Sequence, residues 1–163
     1  MQKLHWIQDK IYSRENLVRE CNVWRTTGKK IVFTNGCFDI LHHGHLDLLA
    51  RAAGFGNILV VGVNTDSSVH RLKGPTRPVT NEQDRAFQVA SLLCTDAVCL
   101  FDEDTPEALI KMIKPDVLVK GGDYTIDKIV GADFVQTRGG SVEIIPFVNG
   151  YSTTSLIERI QRL

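Results

Sequence analysis

Apolar positions along the chain change period several times, and each change marks an element. Ser13 is placed to cap a helix on which Leu17, Val18 and Cys21 share a face, with Trp24 next along it and an end near Gly28. Residues 30–34 (KIVFT) form a short β-rich run closed by the turn residues Asn35 and Gly36. From about His43, the residues Leu46, Leu49, Ala50 and Ala53 recur at i, i+3, i+4 and i+7, the stripe of an amphipathic helix that Gly54 ends. Residues 57–63 (NILVVGV) are almost continuously apolar, as expected for a strand buried on both faces of a parallel sheet. A polar stretch, 64–78, follows and reads as a loop. Thr80 with Gln83 then makes a capping box for a helix carrying Ala86, Val89, Ala90 and Leu93. Residues 97–101 are a strand. Thr105 and Pro106 read as N-cap and first residue of a helix with Leu109, Ile110 and Ile113, stopped by Pro115. Strands at 116–120 and 141–146 complete the series, and Ser152 caps a last helix with Leu156, Ile157 and Ile160 inside.

Short units alternating strand and helix are the signature of an open α/β sheet with helices on both faces. The expectation is a mainly parallel five-stranded sheet in a three-layer sandwich. Residues 1–28 read as an N-terminal helical extension and 29–163 as the domain proper. A chain of 163 residues suits one domain with a core of its own. Formal net charge is zero, so bulk electrostatics offers no case for nucleic-acid or membrane partners. No apolar run is long enough to cross a bilayer and no signal-peptide pattern opens the chain, so the expected location is the cytoplasm. Cys21, Cys37, Cys94 and Cys99 form no C-x-x-C pair and read as reduced thiols.

In such sheets ligands bind beyond the carboxyl ends of the strands, so the residues there carry the chemistry. After the first strand comes TNGCFDILHHGH, residues 34–45. His42 and His45 are three apart at a helix start and can face one ligand, while Gly44 leaves room for backbone approach. Imidazoles at a helix N-terminus suit an anion such as phosphate. A His-rich helix start with no ligand is the plainer reading, and zinc lacks a third ligand nearby. After the second strand, Asn64 and Asp66 precede Arg71, Lys73 and Arg77, three cations in a Gly- and Pro-containing segment suited to closing on phosphates. After the fourth strand, Lys120-Gly121-Gly122-Asp123-Tyr124 suggests a ligand against the backbone or a tight turn. After the fifth, Tyr151-Ser152-Thr153-Thr154 carries more hydroxyls than one cap needs. The P-loop and dinucleotide fingerprints are both absent, which argues against a P-loop kinase and a dinucleotide dehydrogenase.

The H-x-G-H element after a first strand, with a Ser-Thr-Thr helix start near the C-terminus, resembles the cytidylyltransferase-like nucleotidyltransferases. FTNGCFDILHHGHLDLL, RLKGPTRPV, FDEDTPEALI, KPDVLVKGGDY, IVGAD and IPFVNGYSTTSLIERI are similar to the adenylyltransferase domain of ADP-heptose synthesis enzymes, over residues 29–163. This resemblance implies a Rossmann-like fold. It also implies the reaction of ATP with D-glycero-β-D-manno-heptose 1-phosphate to give ADP-heptose and pyrophosphate, usually for lipopolysaccharide. A cytidylyltransferase for a polyol phosphate such as glycerol 3-phosphate, or a non-catalytic nucleotide-binding module, are the alternatives. By resemblance, His42 and His45 contact the triphosphate and Lys73 neutralises the attacking phosphate. Asn35, Gly36, Cys37, Phe38, Gly44, Lys120, Gly121, Asp123, Tyr151, Ser152, Thr153 and Thr154 would bind the nucleotide. Asp39, Asn64, Asp66, Arg71 and Arg77 would line the acceptor side. Mg²⁺ would accompany ATP without a dedicated protein site. In many bacteria the domain is fused behind a sugar kinase, for which 163 residues leave no room. A stand-alone, homodimeric transferase with a separate heptose kinase is therefore expected. His43 stands where the family often has a small residue, and no role is assigned to it.

Overall fold

A computed structural model describes residues 3–148 and 150–163. Five strands, β1 (Ile31–Gly36), β2 (Ile58–Asn64), β3 (Ala97–Phe101), β4 (Val117–Gly121) and β5 (Ser141–Ile145), form one sheet of order β3-β2-β1-β4-β5. Every pairing is parallel. The architecture is the expected α/β, Rossmann-like one, with strand bounds within two residues of those predicted. Its two faces carry two cores. One is built on Ile31, Phe33, Val60, Leu118 and the helix residues Leu17, Cys21, Ile110 and Ile113. The other joins Val32, Val61, Val117 and Val119 to Leu49, Ala52, Ala86 and Val89.

The eight helices among the described residues are α1 (Lys3–Gln8), α2 (Arg14–Thr26), α3 (His43–Ala53), α4 (Asp66–Lys73), α5 (Glu82–Ala90), α6 (Glu107–Ile113), α7 (Ala132–Thr137) and α8 (Thr153–Gln161). Ser13 caps α2, and its hydroxyl accepts from the Asn16 N–H. Leu17 and Cys21 on α2 are fully buried, so this helix packs on the sheet rather than standing off it.

Several local expectations need correction. Within α3 the inward stripe is His45, Leu48, Leu49 and Ala52, whereas Leu46 is 41% exposed and Ala50 is exposed. A count of apolar residues missed this phase because it scored a histidine as an outward position. The supposed loop 64–78 contains α4, whose N-cap Thr65 accepts from Ser68 N. Asn81, not Thr80, caps α5, accepting from Asp84 N at 2.9 Å. The Thr80 N–H is instead drawn to Asp39. Arg85 takes part in the buried face of α5, and Leu93, expected inside, lies past its end and is fully exposed. Pro106 is the N-cap of α6 rather than its first residue. No side chain of α8 is buried, and Ile160 is exposed, because α8 follows the edge strand β5 and has little sheet to lie on.

Candidate nucleotide site

The sheet order reverses direction between β1 and β4. These two strands pair only through Val32 with Val117 and Phe33 with Leu118. Beyond that point β1 runs on to Gly36 and β4 to Gly121, unpaired with each other, which opens a crevice at the topological switch point. Thr34, the first β1 residue past the last pairing, has a buried hydroxyl with no hydrogen-bond partner among the described residues.

Residues 37–42 lead from β1 into α3, and two buried side chains pin them. The Asp39 carboxylate accepts from the Val79 N–H at 2.8 Å and the Thr80 N–H at 2.9 Å, and it pairs with the Arg77 guanidinium. Burial alone would raise the Asp39 carboxyl. The Thr80 and Val79 N–H groups and Arg77 outweigh it and hold the group below its ordinary value. Arg85, 0% exposed, donates to the carbonyls of Cys37 at 2.6 Å and Thr80 at 2.9 Å and to the Asp66 carboxylate at 2.7 Å. One guanidinium thus ties the β1 loop, the start of α4 and the segment before α5 together. Sequence reading overlooked Arg85, because nothing local distinguishes it from a solvated helix arginine.

The two histidines meet at the start of α3. His42 occupies the N-cap position but makes no side-chain cap, so the first N–H groups of the helix are left for a ligand. The imidazoles of His42 and His45 stack with centroids 3.8 Å apart and planes at 21°. Phe38, buried and at φ 48°, sets its ring edge against His45 at 5.3 Å. Both histidine Nδ1 atoms are buried without a hydrogen-bond partner among the described residues. Buried polar atoms are rarely left so, and a bound polar ligand would satisfy them. Burial, and then the neighbouring His42, push His45 down to about 4; the nearby Ile40 carbonyl and Asp39 pull the other way without prevailing. Burial also lowers His42. Both rings are therefore neutral at pH 7, each with one N–H to give.

Two lysines lie near Cys37, at the start of the same loop. Lys73 ends α4 and is exposed. Lys120, near the end of β4, is pushed below the ordinary lysine range by burial, against the opposing effect of Cys37 and with a smaller push from Lys73. The Cys37 thiol is raised by burial, with Lys73, Arg85 and Arg77 pulling it down. Lys73, Lys120 and Cys37 thus act on one another across one space.

The start of α8 closes the other side. Ser152 caps it, its hydroxyl accepting from Ser155 N at 3.0 Å; Thr153 is half-buried and Thr154 exposed. The Tyr151 ring lies 5.0 Å from the His43 ring, which gives His43 a packing partner. A Cβ on Gly44 would meet the His42 ring at 3.2 Å and Tyr151 Cβ at 3.4 Å. Gly44 therefore sits where the two helix starts approach, and a larger residue there would crowd the His42 ring. Asn35, Gly36 and Gly121 line the strand ends, and Asp123 is exposed beyond them.

Other predicted positions have protein partners instead. Arg71 pairs with Asp104 at 2.7 Å and also reaches the Asp102 carbonyl, on the loop after β3. Arg77 faces Asp39, Asp66 faces Arg85, and the Asn64 amide donates to Ser68 Oγ at 3.0 Å. No group of three or more His, Cys, Asp or Glu side chains among the described residues is arranged to hold a metal ion. No helix among them is long and apolar enough to cross a membrane.

An uncapped helix start carrying two imidazoles at a switch-point crevice is chemically suited to a polyphosphate. The chain belongs to the cytidylyltransferase-like family, whose model matches residues 33–159, and it is a nucleotidyltransferase. It is 54% identical over 151 residues to the bifunctional protein HldE of Syntrophotalea carbinolica, covering 93% of this chain and 31% of that one. It is 59% identical over 133 residues to the HldE of Citrifermentans bemidjiense, covering 82% and 27%. The chain thus spans less than a third of the length of these curated relatives. The crystal structure of a lipopolysaccharide core biosynthesis protein from Thermoplasma volcanium matches with a TM-score of 0.60 at 30% identity, covering 77% of this chain and 100% of that one.

Proposed function

We propose that the protein transfers an adenylyl group from ATP to D-glycero-β-D-manno-heptose 1-phosphate, giving ADP-heptose and pyrophosphate. The observation that carries the reading is the stacked, unpartnered histidine pair at the open start of α3. The heptose acceptor rests on the VKGGDY and NGYSTT segments and on the identity to the HldE proteins.

In this reaction an oxygen of the sugar phosphate attacks the α-phosphorus in line. The bond from that phosphorus to the oxygen bridging to the β-phosphate breaks, and pyrophosphate leaves with the electron pair. Protein groups position the reactants and stabilise charge rather than form covalent bonds. His42 and His45 donate N–H groups to the phosphate oxygens as charge builds, aided by the first N–H groups of α3. Gly44 lets the triphosphate lie against that backbone. Asn35, Gly36, Cys37, Phe38, Lys120, Gly121, Asp123 and residues 151–154 surround the nucleotide. Lys73, exposed and unpaired by any described carboxylate, faces the incoming sugar phosphate. Arg77, Asp39, Asp66, Asn64 and Arg71 build the walls instead, since each already has a protein partner. Mg²⁺ enters as part of the ATP substrate, held by phosphates and water. The working unit is a homodimer, and a heptose kinase activity supplies the 1-phosphate.

Lys73→Ala is expected to raise KM for the sugar phosphate by about tenfold, the loss of one charge-assisted contact, with little change in KM for ATP. Steady-state kinetics with each substrate varied in turn checks this. A rise confined to ATP would remove Lys73 from the acceptor side.

A further inference from the structure

Helix α4 carries Lys73 but has little apolar hold on the sheet. It is eight residues long, and only Ser68 and Val69 on it are buried. A helix so short is not stable by itself, and two small buried side chains set little preference for its rotation. The loop after β3 supplies what the core does not. The Asp102 carboxylate accepts through one oxygen, Oδ1, from the hydroxyls of Thr65 and Ser67. The same oxygen stands 3.7 Å from the Arg71 guanidinium, which also donates to the Asp102 carbonyl and pairs with Asp104. The buried Ser68 hydroxyl donates to the Glu103 carbonyl at 3.2 Å. Thr65, Ser67, Ser68 and Arg71 thus all meet residues 102–104.

The loop is itself anchored. Arg14, the first residue of α2, forks onto both oxygens of the Glu103 carboxylate, with one bond at 2.7 Å. A two-bond arginine–carboxylate pair fixes direction as well as distance. Through it the N-terminal extension reaches the ligand edge of the sheet, where β3 ends at Phe101 beside Asn64 of β2. On the other side of α4 stands Lys73. Two helical positions turn the chain by about 200°, so Lys73 and Arg71 point to roughly opposite sides. Burial raises the Cys37 thiol, and Lys73 is the foremost charge opposing it, which puts Lys73 towards the loop after β1.

We propose that Asp102 is a positioning residue for the transfer. By holding the Thr65, Ser67 and Arg71 side of α4 it sets the rotation that turns Lys73 towards the acceptor phosphate, and the Arg14–Glu103 pair fixes the loop behind it. The inference rests on reading Lys73 as the acceptor-side cation.

Steady-state kinetics of Asp102→Ala, Asp102→Asn, Lys73→Ala and the double variant Asp102→Ala with Lys73→Ala test it, with ATP and the sugar 1-phosphate varied in turn. The Asp102 side chain is 58% exposed, so the effect is that of a surface network and is modest. Asp102→Ala is expected to raise KM for the sugar phosphate by about three- to fivefold, leaving kcat and KM for ATP near wild type. Asp102→Asn keeps an oxygen for both hydroxyls and should restore most of that loss. In the double variant the Asp102 change should add nothing to Lys73→Ala, because a residue that acts through another has no effect once the other is gone. An Asp102→Ala effect of the same size with and without Lys73 overturns the positioning role, as does a rise in both KM values. Wild-type kinetics in Asp102→Ala beside a weakened acceptor in Lys73→Ala removes the positioning role and leaves Lys73 standing. An unchanged sugar-phosphate KM in Lys73→Ala removes both.

Discussion

Replacing His42 or His45 with alanine is expected to lower kcat by about 10²–10³, the usual loss for one oxyanion-type donor. Each ring has a buried Nδ1 with no hydrogen-bond partner among the described residues, at a helix start that the His42 side chain does not cap. Far-UV circular dichroism and melting should therefore show a folded chain while pyrophosphate release collapses. The rings are stacked at 3.8 Å, so they act as a unit and the double variant should lose less than the product of the single losses. The pH dependence follows from burial. Unfolded His45 protonates near its ordinary value of 6.5, but in the folded chain only near 4. Between these values the unfolded state binds more protons, so stability is complete above 6.5 and declines as pH falls towards 4. A melting series from pH 7 to 4 should show a shallower decline in His45→Gln than in wild type. An identical decline would contradict the buried, neutral state of His45, and near-normal turnover in both alanine variants would remove the histidines from catalysis.

Arg85→Ala should be the most damaging change outside the histidines, and it should act first on stability. The side chain is fully buried and serves three acceptors on three segments. Its removal strands two part-buried carbonyls and the Asp66 carboxylate. Breaking a buried ion pair by removing one partner typically destabilises by about 3–5 kcal/mol. Asp66 is 35% exposed, and water reaching it puts the expected loss at the lower end. For a chain of this size that corresponds to a fall in Tm on the order of 10 °C. Arg85→Lys keeps the charge but cannot reach three acceptors with a planar fork, so it should recover only a small part. At temperatures where the variant remains folded, KM for both substrates should rise, because the loop from Cys37 to the histidines has lost its anchor. A Tm within about a degree of wild type would mean the network carries no stability.

The strands were legible because both faces of a central parallel sheet are buried, and a run such as residues 58–63 leaves few other choices. The site segments were legible for a related reason: in this architecture the ligand end of each strand is known once the strand is placed. What escaped was information held in tertiary contacts. His45 was singled out for its chemistry, but its place on the inward stripe of α3 was not foreseen, and that displaced the predicted phase by one position. Helix α4 hid in a polar stretch because its buried residues are Ser68 and Val69, too few to set a period. Helix α7 escaped for a similar reason, being six residues long. Asp39 and Arg77 look like ligand-seeking charges in the sequence, 38 positions apart; only the fold reveals that they face each other. Phe147 lies within a segment quoted for the resemblance, but its closeness to Gly122, 25 residues away, is visible only in the fold.

The acceptor and the base can be tested together in one assay. Pyrophosphate release is measured with ATP or CTP, each paired with D-glycero-β-D-manno-heptose 1-phosphate or with glycerol 3-phosphate, Mg²⁺ present throughout. Rapid release with ATP and the heptose phosphate, and far slower release in the other three pairings, is the predicted result. Fastest release with CTP and glycerol 3-phosphate, or none in any pairing, would contradict it.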